Sequence, residues 1–296
     1  MNRKLFNWIS ELVANRPDQS TTRPVSPLGS EVIERYRCGH LNKGKLVFTA
    51  QDKLELRRRV AEETGFDPLR ERLPDDRLTV AKHHGNEKLA GKPVSEDYLL
   101  LNSPDGELCI NGGRITLQPA SIMAAGVFCP SSGIETVERD ALVVVENLAI
   151  MSLCASFELP PLARQALWVY RGDSKTGSKT NVCRDFVDRF GTDKTVIVFS
   201  DMDPKGLEIA LTMPHANYWL GPVPDAWQDC LRSRVGQREG FDIQARSIAY
   251  LQRLSDAGLL TEPLKNLIGC LQAERSSYRQ EHMYSHKIEL GLLPIR

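Results

Sequence analysis

The sequence has no apolar run approaching the roughly 18 residues that a membrane-spanning helix needs, which excludes a helical membrane protein and any membrane partner of that kind. It has no CxxC pair either. Its seven cysteines, Cys38, Cys109, Cys129, Cys154, Cys183, Cys230 and Cys270, are odd in number and scattered. That spacing argues against a disulfide framework or a thiolate zinc site, and predicts a reducing, cytoplasmic setting. Charge of one sign is missing as well, with 38 Lys and Arg against 38 Asp and Glu. A strongly basic nucleic-acid binder is therefore not signalled by the chain as a whole, and any such surface has to be local. The N-terminal "MNRKLFNWISELVA" carries Glu11 and no cleavage-like site, so it does not read as a signal peptide. Leu5, Trp8, Ile9 and Leu12 fall at helical spacing and predict a docking helix.

What is present suffices for two domains of ordinary size in 296 residues. Asn15 to Ser30 is rich in Pro, Ser and Thr and reads as a linker, closing a first segment of residues 1–30. Residues 31–138 read as a helical and small-sheet domain, a candidate for DNA binding. "SEVIERYR" begins one helix there, and "TAQDKLELRRRVAEETG" forms another with Thr49 as N-cap and Gly65 as stop. Between Arg35 and Arg59 stand eight Lys or Arg residues against two acids, the most basic window of the chain. "YLLLNSPDGELCINGGRITL", Tyr98 to Leu117, alternates short apolar runs with turn signals and predicts a small antiparallel sheet.

Residues 139–296 change character. "ALVVVEN", "ALWVY", "TVIVF" and "ANYWL" are β-rich runs separated by helical patterns, which predicts an α/β fold with a parallel sheet covered by helices on both faces. From Pro224 to about His286 the pattern is mostly helical.

In such a sheet the working edge lies where strands end and helices begin. Glu146 ends one strand, and Asp201 and Asp203 end another. Two acids one residue apart at the tip of a buried strand repel each other unless a cation neutralises them. Hard oxygen ligands in this pattern, with a third from a neighbouring strand, suit Mg²⁺ or Mn²⁺. The plainer alternative is that acids at strand ends only cap the next helix.

A strand-terminal Glu, a βα unit, then a strand-terminal DxD followed by a Gly at a helix start resembles the Toprim domain of type II and type VI topoisomerases, primases and several nucleases. The residues that carry the resemblance are Glu146 in "VVVEN" and Asp201, Asp203 and Gly206 in "SDMDPKG". The order of "VVVENLAIMSL" and "LWVYRGD", and the tail with Gln280 and Glu281, resemble the Toprim nuclease subunit of condensin-like plasmid-defence systems of the Wadjet and MksBEFG type. The resemblance covers roughly Leu142 to Met283. It implies metal-dependent hydrolysis of double-stranded plasmid DNA, in partnership with an SMC/condensin-like ATPase complex. Glu146 and Asp201 would hold the cation nearest the scissile phosphate, Asp203 would complete or share a second, and Glu281 would be a further acid near the site. Whether the nuclease acts as a homodimer is left open. Pro204 and Lys205 depart from what usually follows the acidic pair in that nuclease family. The topoisomerase relatives use a nucleophilic Tyr; Tyr36 in "ERYRCGH" is the one early candidate and its surroundings do not match, which favours water as nucleophile.

The loop "RGDSKTGSKT", Arg171 to Thr180, nearly spells a P-loop, but Ser178 separates Gly177 from Lys179. An NTPase is the alternative enzyme, and a noncatalytic DNA-binding scaffold the alternative outside enzymology. As phosphate contacts, Arg171, Lys175, Lys179 and Lys205 belong to the working edge, with Lys88 of "NEK" and Arg279 of the tail as further DNA-binding candidates. Arg275, Tyr278, Arg279 and His282 share helical spacings that could track DNA.

Overall fold

The computed structural model describes residues 1–75, 80–82, 97–117, 124–173, 177–236 and 238–295. They form two compact units, Met1–Val94 and Ser95–Arg296.

In the first unit, helix α1 (Arg3–Ala14) starts at Asn2, whose side chain accepts the N–H of Leu5, and it buries Leu5, Phe6, Ile9, Leu12 and Val13. The expected docking helix thus docks within its own unit. The segment expected to be a linker holds strand β1 (Thr21–Pro24) and the start of helix α2 (Pro27–Tyr36). Ser26 caps that helix and Pro27 takes its first position, where a missing N–H is harmless. Strands β2 (His40–Asn42) and β3 (Lys45–Phe48) complete an antiparallel sheet in the order β1-β3-β2. Helix α3 (Ala50–Thr64) has the expected ends: Thr49 and Asp52 form a reciprocal capping box, and Gly65 stops the helix at φ 76°.

Most of the basic window is consumed inside this unit. The buried Lys53 ammonium donates to the carbonyls of Asn15, Arg16 and Gln19 and to the Thr21 hydroxyl. Arg57 pairs with Asp67, Arg58 with Glu55 and Glu62, Arg59 with Glu55, and Arg35 with Glu63. Tyr36 is buried and donates to Glu63 Oε2 at 2.6 Å. Burial, then that hydrogen bond, raises its phenol well above the ordinary range, so it is a structural tyrosine. Tyr36→Phe should lower stability by about 1.5–3 kcal/mol in urea melts, the loss expected for a hydrogen bond to a charged acceptor.

The second unit contains strands β4 (Tyr98–Asn102), β5 (Glu107–Ile110), β6 (Gly113–Thr116), β7 (Val127–Pro130) and β8 (Ala141–Val145), then helices α4 (Leu148–Leu153) and α5 (Pro161–Arg164). Strand β9 (Leu167–Tyr170), helix α6 (Thr180–Phe190), strand β10 (Thr195–Phe199), helix α7 (Pro204–Thr212) and strand β11 (Ala216–Pro222) follow. Helices α8 (Trp227–Arg232), α9 (Arg238–Asp242), α10 (Ala245–Asp256), α11 (Glu262–Glu274) and α12 (Gln280–Ser285) lead to strand β12 (Leu290–Pro294).

The main sheet has seven strands in the order β12-β11-β10-β8-β9-β4-β7. The four runs read from sequence as strands are its parallel centre. Three flanking strands correct the expectation of a purely parallel sheet: β4 joins β9, β7 joins β4 and β12 joins β11, each antiparallel. Of the small sheet expected at Tyr98 to Leu117, only the β5–β6 hairpin stands apart, turning at Asn111 and Gly112 with φ 53° and 66°. With β4 and β7 inside the main sheet, the unit boundary lies at Val94/Ser95 instead of 138/139.

Strand β8 is buried at every position because it is flanked by β9 and β10 and has no solvent face. The chain leaves β8 for β9 on one side, then returns past it to β10 and β11 on the other. The right-handed crossover rule sends the connecting helices of the two runs to opposite faces. The loops after β8 and β10 therefore part from each other, leaving a crevice at those strand ends.

Candidate functional site

Glu146 directly follows β8, and its backbone N–H continues the ladder to the carbonyl of Phe199 at 3.0 Å. Asp201 lies two residues beyond β10, with its N–H 3.4 Å from Glu146 Oε2. The intervening Ser200 is buried, accepts from Trp219 Nε1 at 3.0 Å and donates to the Gly206 carbonyl at 2.9 Å, which fastens the strand end to the next helix. Gly206 is required there, because a Cβ would meet the Asp201 carbonyl oxygen at 2.1 Å. The Gly of "SDMDPKG" thus lets α7 start against the acidic loop.

The loop is held from the other side by the tail. Met202 and Tyr278 exchange two backbone hydrogen bonds, 2.9 and 3.0 Å, as an isolated antiparallel bridge. This brings the Gln280 N–H to Asp201 Oδ1 at 2.8 Å and sets Glu281 beside the strand ends, where Asn147 Nδ2 donates to its Oε1 at 2.6 Å. Asp203 is buried and is the N-cap of α7: Oδ1 accepts from Gly206 N at 2.6 Å, and Oδ2 accepts from Gln244 Nε2 at 2.7 Å. The capping role weighed as an alternative is real for Asp203. Asp201 likewise accepts the N–H of Gln280, the first residue of α12, whereas capping does not account for Glu146.

Asp201, Asp203 and Glu281 line one cleft of about 300 Å³ with Asn147, Gln244 and Arg279. Its electrostatics are those of crowded acids. Burial first, then the charges of Glu146, Asp203 and Glu281, push Asp201 up to about 7 against the donation from Gln280. Glu146 is raised too, chiefly by burial, with Arg171 opposing. One oxygen of Glu281, Oε2, is buried and has no hydrogen-bond donor among the described residues.

The basic candidates divide. Arg171 places Nη2 3.9 Å from Glu146 Oε1, Arg279 is exposed at the cleft, and Lys205 is half-exposed and pairs with Glu208 at 3.1 Å. Lys179 precedes α6 as its N-cap residue. Lys88 and Lys175 lie outside the described residues. Tyr278 corrects the DNA-tracking expectation: it is buried, with its hydroxyl 2.6 Å from His286 Nδ1. Arg275 pairs with Asp242. The near-P-loop turns its described polar groups inward. The Ser178 carbonyl accepts from Asp173 N, and the Thr180 hydroxyl, which a P-loop would offer to Mg²⁺, donates to the Gly172 carbonyl.

A family profile described as "Domain of unknown function (DUF7281)" matches residues 96–292. The chain belongs to the DUF7281 family. Every described group of the cleft falls inside the DUF7281 match, which coincides with the second unit to within a few residues at each end. No curated protein matches the chain.

Sequence reasoning singled out Glu146, Asp201, Asp203 and Glu281 as candidates and did not single out two of the side chains that hydrogen-bond them, Asn147 and Gln244. Asn147 carried a signal, since an Asn directly before a helical run is a capping residue, and its side chain does accept the Ala149 N–H. Gln244 carried none. The expected three- or four-carboxylate cage is not drawn together: among the described residues no three Asp, Glu, His or Cys side chains are grouped to hold a metal ion. Asp203 has both oxygens engaged and Glu281 is tethered by Asn147.

Proposed function

We propose that this chain is a Toprim-type, divalent-cation-dependent DNA nuclease that cleaves by hydrolysis. The observation that carries the reading is the meeting of Glu146 and Asp201 at the ends of adjacent parallel strands beside the sheet's switch point, both held with raised affinity for protons. A site that raises its own acids in this way is one that a cation would relieve.

The donor set fits Mg²⁺ or Mn²⁺. Mg²⁺ commonly keeps several waters and takes one or two carboxylates plus substrate phosphates, so it does not need a full protein cage. Glu146 and Asp201 would be the primary ligands, with Asp203 and the unpartnered oxygen of Glu281 close enough to contribute charge. When bound, such an ion polarises a phosphoryl oxygen and lowers the pKa of a coordinated water. The chain's own residues orient the acids: Gln280 N–H holds Asp201, Gln244 holds Asp203 and Asn147 holds Glu281. Arg279, which lines the cleft, would contact a phosphate oxygen. A condensin-like ATPase partner and a plasmid substrate are supported by the sequence resemblance.

Purified protein incubated with supercoiled plasmid should nick or linearise it in Mg²⁺ or Mn²⁺ and leave it intact in EDTA. The cut ends should carry no protein after denaturation, in wild type and Tyr36→Phe alike. Unchanged plasmid in every metal, with DNA still bound, would favour the noncatalytic scaffold; ATP binding lost in Lys179→Ala would favour the NTPase.

A further inference from the structure

The first unit lies outside the DUF7281 match, and the edge strand of its sheet, β2, is exposed and flanked by cations. Strands β2 and β3 pair as His40↔Val47, Leu41↔Leu46 and Asn42↔Lys45, leaving Lys43 and Gly44 as a two-residue turn. Both turn residues have positive φ, 45° and 74°, as a tight hairpin turn requires. A Cβ on Gly44 would meet nothing within 4 Å, so the tip points into open space. Leu46 and Phe48 root β3 in the core, whereas all of β2 is exposed, including Leu41 at 64%.

Directly paired residues share a face, so His40, Asn42, Lys45 and Thr22 stand together on the side away from Leu46. Apart from Val47, which is half-buried, the residues of that face are exposed. Arg37, Lys43 and Lys45 are exposed, and none has an ion pair or side-chain hydrogen bond among the described residues. They differ in this from the five other cations of the window, each of which is bound within the unit. No acid occurs from residue 35 to residue 51, and Asp52 is tied to Thr49.

We propose that this hairpin is a second DNA-binding element, which lays its tip in a groove of duplex DNA with Arg37, Lys43 and Lys45 on the flanking phosphates. Three paired rungs extend about 10 Å at ~3.4 Å each. A major groove about 8.5 Å deep and 12 Å wide accepts a two-stranded ribbon of that size. Asn42 at the tip, on the face shared with His40 and Lys45, has the amide that pairs with adenine edges, and Leu41 adds exposed apolar surface on the opposite face of the ribbon. A lipid surface fits less well, because Leu41 is the one large apolar side chain of β2 and hydrogen-bonding groups flank it. The element is independent of the cleft chemistry, since it concerns binding without metal.

The test is binding of a fluorescent 30-base-pair duplex by the full chain in EDTA, across a salt series. Lys43→Glu with Lys45→Glu, both at exposed positions, should weaken binding at least tenfold. It should also make the slope of log K against log salt shallower by about 2, close to 0.9 per lost phosphate contact. Leu41→Ala should weaken binding less and leave the slope unchanged. Unaltered affinity and slope in the charge-reversed variant would overturn the proposal, as would equal binding to phosphatidylserine vesicles or a hairpin occupied by self-association in light scattering. Absence of metal-dependent cleavage would not touch it, because binding is read in EDTA.

Discussion

Glu146→Gln should reduce Mn²⁺-dependent plasmid nicking by about 100-fold or more, since it weakens the hold on the cation that would stabilise the transition state, and losing a single stabilising group of that kind costs at least this much. The substitution keeps the shape of the side chain and an oxygen to accept the Asp201 N–H, so the fold is preserved. It also removes one of the like charges that raise Asp201, so the metal-free protein should be no less stable than wild type. Nicking time courses and thermal melts in EDTA, run on the same preparations, separate the two effects. If Glu146 were only a strand-end acid paired with Arg171, nicking would stay at the wild-type rate, and that result would sink the metal-site reading.

Asp201→Asn should stabilise the protein in EDTA at pH 8, where most single substitutions destabilise. Folded Asp201 keeps its proton up to about pH 7, against a reference value of 3.8. The folded state therefore binds more protons across that window. The stability contributed by the protonated form is fully present below about pH 3.8 and is lost as pH rises through about 7. A shift of this size has a ceiling of about 4 kcal/mol, and about 2 kcal/mol is expected for a group still reached by solvent. Asn retains an oxygen for the Gln280 N–H without the charge. The variant's advantage should shrink towards zero near pH 4, where wild-type Asp201 is itself neutral. Saturating Mn²⁺ should reverse the order, since wild type gains about 2.7 kcal/mol at a hundredfold excess over Kd and the variant gains much less. Melts at pH 4, 6 and 8, with EDTA and with Mn²⁺, read all three outcomes. No stabilisation at pH 8 would mean that the carboxylate is not electrostatically strained.

The sequence by itself determined the parallel centre of the sheet and the order of its acids. "ALVVV", "LWVY" and "TVIVF" are apolar at nearly every position because strands buried on both faces have no solvent side to mark with a polar residue. The limits of α3 were equally legible, because Thr49, Asp52 and Gly65 act through bonds within a few residues of themselves. Periodicity reports burial, and it does not report which strand will be the neighbour. Tertiary structure alone decided that β4, β7 and β12 would extend the sheet antiparallel, and that β1 and the first turn of α2 would form in a stretch whose composition reads as linker. It also decided the state of the acids. Asn147 meets Glu281 across 134 residues, Gln280 meets Asp201 across 79, and Gln244 meets Asp203 across 41. The desolvation and like-charge proximity that lift Asp201 exist only once those segments have closed around it, because both depend on distances that no local pattern in the chain encodes.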